Sequence, residues 1–186
     1  MKKTLLILSA IALTQFFVAC GGSADKKADD SGNETAADGH YTTADFTDLD
    51  LTPGGINATM KAPKGATIKK SSDGSICVQA GKYFQMNIKA LTGSTAKAFN
   101  EMTKELALDK EENPSFAKMA AEETNGFMTE KTDGELSFSW VIANGEGCIY
   151  AINGVPYADA SEGYTEVPPP ADVRVMWEAA KTIKVK

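Results

Sequence analysis

Histidine occurs once in this chain, at His40, and cysteine three times, at Cys20, Cys77 and Cys148. That scarcity excludes a histidine-rich metal site and, with no Cys-x-x-Cys, a dithiol redox centre; a serine–histidine–aspartate triad fails because the one His lies in a segment that reads as a tether. Basic charge is also short: 19 Lys and Arg stand against 25 Asp and Glu, a net charge of −6 in 186 residues. A phosphate-backbone surface needs a basic patch, so nucleic acid is not an expected partner. The longest uncharged apolar stretch, Leu5 to Ala19, is shorter than the roughly 20 residues that span a bilayer core. No Gly-rich segment is followed by the Lys and helix start of a phosphate loop; Gly54-Gly55 and Gly145-Glu146-Gly147 lack both.

What is present begins with an address. Lys2 and Lys3 precede the apolar run, which closes on Phe17-Val18-Ala19-Cys20-Gly21-Gly22. A basic start, an apolar centre and small residues before a cleavage point are the parts of a secretory signal peptide over 1–19. Small residues ahead of a Cys that ends the run resemble the lipobox of bacterial lipoproteins, although Phe17 stands where that pattern usually has Leu. The resemblance implies that Cys20 becomes the first residue of the processed chain, with a diacylglyceryl group on its sulfur, and that the membrane is a partner through this anchor. Each buried methylene contributes roughly 0.8 kcal/mol, so several acyl chains make release very slow. Gly21 after the Cys, where Asp would signal inner-membrane retention, makes the outer membrane of a bacterial cell envelope the expected location. Loss of Lys2 and Lys3 takes the net charge to −8, which repels the body from an anionic lipid surface.

Residues 20–40 contain no aliphatic side chain larger than Ala after the Cys, and acids outnumber bases. Such a segment buries too little apolar surface to offset its ordering entropy and reads as a disordered, acidic tether. His40, at its edge, reads as inert.

From 41 to 186 the composition becomes that of one folded domain. Apolar–polar alternation predicts strands at Ile56–Met60, Thr67–Lys70, around Ile76 and Val78, at Phe84–Ile88, Phe116–Glu122, Gly126–Lys131, Leu136–Ile142 and Cys148–Ile152. Asp73-Gly74, Asp133-Gly134 and Asn144-Gly145 supply hairpin turns. The helical period appears twice. Ser94 is the expected N-cap of a helix over about 95–108 with Phe99, Met102 and Leu106 on its inner face, and the proline run 168–170 opens a second helix with Val173, Met176, Trp177 and Ala180 inward. Thr182–Lys186 reads as a last short strand. The expected fold is therefore α+β, a mainly antiparallel sheet with two amphipathic helices packed on it. Over 54–186 the order of elements resembles PsbP-like domains and related α/β/α sandwiches. That order includes Pro63 and Gly65 closing a strand, a capped helix from Ser94, the run Glu122-Glu123-Thr124-Asn125-Gly126-Phe127-Met128 and the aromatic strand 136–142. The resemblance implies a binding or assembly factor and transfers no ligand residues.

Few constellations carry chemistry. Cys77 and Cys148, both on predicted strands of an exported chain, are either a structural disulfide or two buried thiols. Asp45, Asp48 and Asp50 lack the glycine and distal Glu of a calcium loop. Glu111-Glu112 and Glu122-Glu123 are adjacent, which does not make two carboxyls face one cleft. No catalytic, metal or cofactor residues are assigned. Tyr157 and Tyr164, on the proline-braced loop 153–170, are candidates for a recognition surface. The expected function is a lipid-anchored, non-catalytic binding or assembly module for a protein or envelope component. The alternatives are a small-ligand carrier using a cleft between helix 95–108 and the sheet, or a carboxylate-based envelope hydrolase.

Overall fold

The computed structural model describes residues 40–154 and 167–186. Cys20, Tyr157 and Tyr164 lie outside the described residues, as do the expected signal peptide and most of the tether. The described residues form ten strands and two α-helices: β1 Phe46–Asp50, β2 Ala58–Pro63, β3 Thr67–Lys70, β4 Ile76–Ala80, β5 Phe84–Leu91, α1 Ala96–Leu108, β6 Phe116–Glu123, β7 Gly126–Lys131, β8 Leu136–Asn144, β9 Gly147–Asn153, α2 Pro170–Ala180 and β10 Lys184–Val185. The strands make two sheets, one of seven in the order β3-β4-β5-β9-β8-β7-β6 and one of three in the order β1-β2-β10. All pairings are antiparallel, so the α+β expectation holds for the described residues.

Alternation divides the large sheet into two unlike faces. One face carries Ile76, Val78, Met86, Ile88, Ile149, Ala151, Phe138 and Trp140, all buried. It is closed by α2 and the small sheet, whose Val173, Met176, Trp177, Ala58 and Met60 are buried against it. Trp177 sits edge-on to two rings of β8, with centroids 5.1 Å from Trp140 and 5.7 Å from Phe138, the arrangement that ring quadrupoles favour. The opposite face, bearing Thr129, Ser137, Ser139, Tyr150 and Ile152, is covered in part by α1.

Two glycines are fixed by close approach. A Cβ on Gly126 would strike the Ser139 carbonyl oxygen and the Trp140 ring, and one on Gly147 would strike the Leu91 carbonyl oxygen. Both stand at the first residue of a strand where neighbouring backbones converge.

Several expectations change in detail. β1 was not anticipated as a strand; its half-buried residues Phe46 and Leu49 are three apart, off the two-residue period. The N-cap of α1 is Thr95, whose hydroxyl accepts from the Ala98 N–H at 3.3 Å, one residue beyond Ser94. The inner face of α1 is not Phe99, Met102 and Leu106. Met102 and Leu106 are 49% and 53% exposed, and Phe99, Thr103 and Ala107, one helical turn apart, face the sheet. His40, expected as the inert edge of a tether, is docked onto the domain: its Nδ1 lies 2.8 Å from a carboxylate oxygen of Asp172, and its ring stacks on Tyr83 at 5.0 Å.

Candidate ligand cleft beneath helix α1

The strand residues that pack the core leave small hydroxylated neighbours on the other side of β8. Leu136, Phe138 and Trp140 point one way; Ser137 and Ser139, between them, point at α1. Two serines under a helix do not fill the space that larger side chains would occupy, and a cleft of about 380 Å³ results. Phe99, Thr103 and Ala107 of α1 form its roof. Phe127, Thr129 and Lys131 of β7, the β8 serines, and Tyr150 and Ile152 of β9 form its floor and sides. Asn113, on the connection after α1, closes one side; its amide donates to the Ala107 carbonyl at 3.1 Å and its carbonyl accepts from Ser115 Oγ at 3.1 Å.

The strand register fixes the layout of the floor. Thr129 is directly opposite Ser137, while Ser139 has Phe127 on one side and Ile152 on the other. Tyr150 faces Val141 across β8 and Lys89 across β5, and its ring lies 5.1 Å from that of Phe99. Burial pushes the Tyr150 phenol above its ordinary value, so it is a neutral hydrogen-bonding group at neutral pH. Thr103 is already committed, its hydroxyl donating to the carbonyls of Phe99 at 2.9 Å and Asn100 at 3.1 Å. Lys131 is matched by Glu135 at 2.7 Å. Among the described residues no carboxylate lines the cleft.

A second depression, of about 520 Å³, lies at the N-terminal end of α1 beside Thr124, Asn125, Val141 and Ala143. Its rim carries Lys97 and Glu101, whose side chains are well exposed and 3.9 Å apart. Its lining carries no aromatic ring, which distinguishes it from the first cleft.

The other sequence candidates are not brought together. Cys77 of β4 pairs with Asn87 and Cys148 of β9 pairs with Leu91, so the two cysteines flank β5 and are offset by four residues along it. Crossing two strand spacings alone takes about 9.5 Å, beyond the roughly 7 Å between Cα atoms that a disulfide permits. Both are buried thiols and the possible disulfide is not formed; burial also pushes the Cys148 thiol up. Asp45, Asp48 and Asp50 do not converge. Asp45 caps the 3₁₀ turn Thr43–Asp45 through Thr42, Asp48 stands opposite Lys61, and Asp50 binds Lys186 at 2.6 Å. Glu122 and Glu123 point to opposite faces of β6, Glu122 to Lys104 of α1 and Glu123 to Lys181 of α2 at 2.9 Å. Among the described residues no group of three His, Cys, Asp or Glu is placed to hold a metal.

Thr129, Ser137, Ser139 and Phe127 were not anticipated from sequence. In β8 the polar half of the alternation reads as a solvent face, and only the paired period of α1 could have signalled that a helix covers it.

No family model, no curated protein and no solved structure matches the chain.

Proposed function

We propose that this chain is a lipid-anchored cell-envelope protein whose α+β domain is a non-catalytic binding module, with the cleft beneath α1 as its binding site. The observation that carries the binding half is the cleft: a concave site of about 380 Å³ lined by aromatic rings and hydroxyl groups, which is the general form of a small-molecule site. The anchor half is supported by Cys20 at the end of the uncharged stretch. The placement of α1 and α2 on opposite faces of the large sheet supports the likeness to α/β/α binding domains. Carrying a small ligand is the more specific form of this reading, and the cleft supports it.

Two measurements test it. Metabolic labelling with an acyl-chain precursor labels the wild-type chain and not Cys20→Ser; equal labelling of both removes the anchor. Organic extraction of natively purified protein, followed by mass spectrometry, yields one recurring small molecule from the wild type and none from Ser139→Leu, which fills the cleft. Identical extracts from the two remove the cleft as the binding site.

A further inference from the structure

The chemistry of the ligand can be read from the lining of the cleft, given the binding reading above. Thr129 and Ser139 are only 5% and 7% exposed and both line the cleft; among the described residues no hydrogen bond engages either hydroxyl, and neither is sealed from solvent. Each hydroxyl can donate one hydrogen bond and accept others, so the two on adjacent strands of one floor are a donor and acceptor set open to a ligand. Around them the lining is largely apolar: Phe99 and Ala107 above, Phe127 and Ile152 beside Ser139. Charge is balanced before any ligand arrives, because Lys131 is paired with Glu135. An ionised ligand would give up its hydration without gaining an unpaired counter-charge. The volume is at the small end of ligand sites.

We propose that the cleft takes a compact, uncharged ligand of one or two fused rings, its flat face against Phe99 and Phe127 and a hydroxyl or carbonyl on its rim bonded to Thr129 and Ser139. Ring faces stack on Phe and Tyr in offset or tilted geometry, as Phe99 and Tyr150 already do at 5.1 Å and 33°.

The test uses the full chain in detergent micelles, dialysed to defined free concentrations of naphthalene, 2-naphthol and 2-naphthoate, with the backbone amide shifts of Phe99, Thr129 and Ser139 as the readout. The expected order is 2-naphthol about 5- to 30-fold tighter than naphthalene, the ratio that one or two net hydrogen bonds give, with 2-naphthoate weaker than 2-naphthol. Thr129→Val, which keeps the shape and removes the hydroxyl, shrinks the preference for 2-naphthol, and Thr129→Val with Ser139→Ala abolishes it while naphthalene still binds. Equal binding of naphthalene and 2-naphthol by the wild type overturns this inference and leaves the cleft as a binding site. Preference for 2-naphthoate overturns the uncharged class. No site-specific shift with any probe overturns the inference and the binding reading together.

Discussion

His40 Nδ1 and a carboxylate oxygen of Asp172 meet at 2.8 Å although the residues are 132 positions apart. The contact places the start of the described chain against the first turn of α2, where Asp172 also faces the positive end of the helix dipole. Asp172 is buried, so the imidazole is its polar partner at the surface, and the stack on Tyr83 holds that ring in place.

His40→Ala is therefore expected to destabilise the domain by about 1–2 kcal/mol, because it leaves a buried carboxylate short of a partner. Asp172→Asn, which keeps a hydrogen-bonding oxygen, costs less. Urea unfolding of the two single variants and the double variant gives a coupling energy on the order of 1 kcal/mol; additive effects would show that the contact contributes nothing to stability.

Among the described residues the buried indole N–H of Trp140 has no hydrogen-bond partner. Trp140→Phe keeps an aromatic edge against Trp177 and removes the unmatched donor, so the lost volume is offset and the net effect stays within about 1 kcal/mol. Trp140→Ala opens a cavity and costs about 3–5 kcal/mol. Thermal unfolding of both distinguishes this from a core in which the indole nitrogen matters, where Trp140→Phe would be nearly as damaging as Trp140→Ala.

Gly126→Ala drives a methyl into the β8 backbone at Ser139 and into the Trp140 ring. Backbone cannot yield as a flexible side-chain tip can, and overpacking of this kind costs about 1–3 kcal/mol. Gly93→Ala serves as a control, because a Cβ there meets nothing and only its positive φ of 79° resists. A chemical-denaturation midpoint for Gly126→Ala equal to that of the wild type would contradict the close approach.

Asp50 is held down to about 2 by Lys186 first, then by the Thr52 hydroxyl and backbone N–H. A folded-state value below the unfolded one of about 3.9 means that this carboxylate stabilises the domain at neutral pH. The contribution is complete above about pH 5 and is lost as pH falls through about 2. The difference in denaturation midpoint between wild type and Asp50→Asn should be constant from pH 5 to 8, as the roughly 3.9 unfolded value requires, and should shrink below that range. The pair is exposed at the surface, so the difference is small and falls with added salt. A difference that grows on acidification would reverse the assignment.

Much of the sheet was legible in the chain because its strands alternate cleanly. Ile76 and Val78, Phe84, Met86 and Ile88, and Leu136, Phe138 and Trp140 each mark one face, and all are buried together. Asp73-Gly74 gave the β3–β4 hairpin, with Gly74 at a φ of 80°. β1 escaped because Phe46 and Leu49 break the two-residue period and the strand is edged by Asp48 and Asp50. The inner face of α1 was misplaced because two apolar stripes share Phe99, and the residues of the helix cannot by themselves say which stripe meets a sheet.

The amino-acid order alone determined most of the local conformations: where all but the first strand run, where glycine turns them, where the proline run starts a helix. These follow from short-range sterics and hydrogen bonding within a few residues. Only the tertiary structure decided that β9 inserts between β5 and β8, that Cys77 and Cys148 stand on opposite sides of β5, and that Thr129 and Ser139 are enclosed beneath α1. Strand order and helix rotation are settled by which surfaces bury the most apolar area together, a property of the whole packed domain and of no single segment.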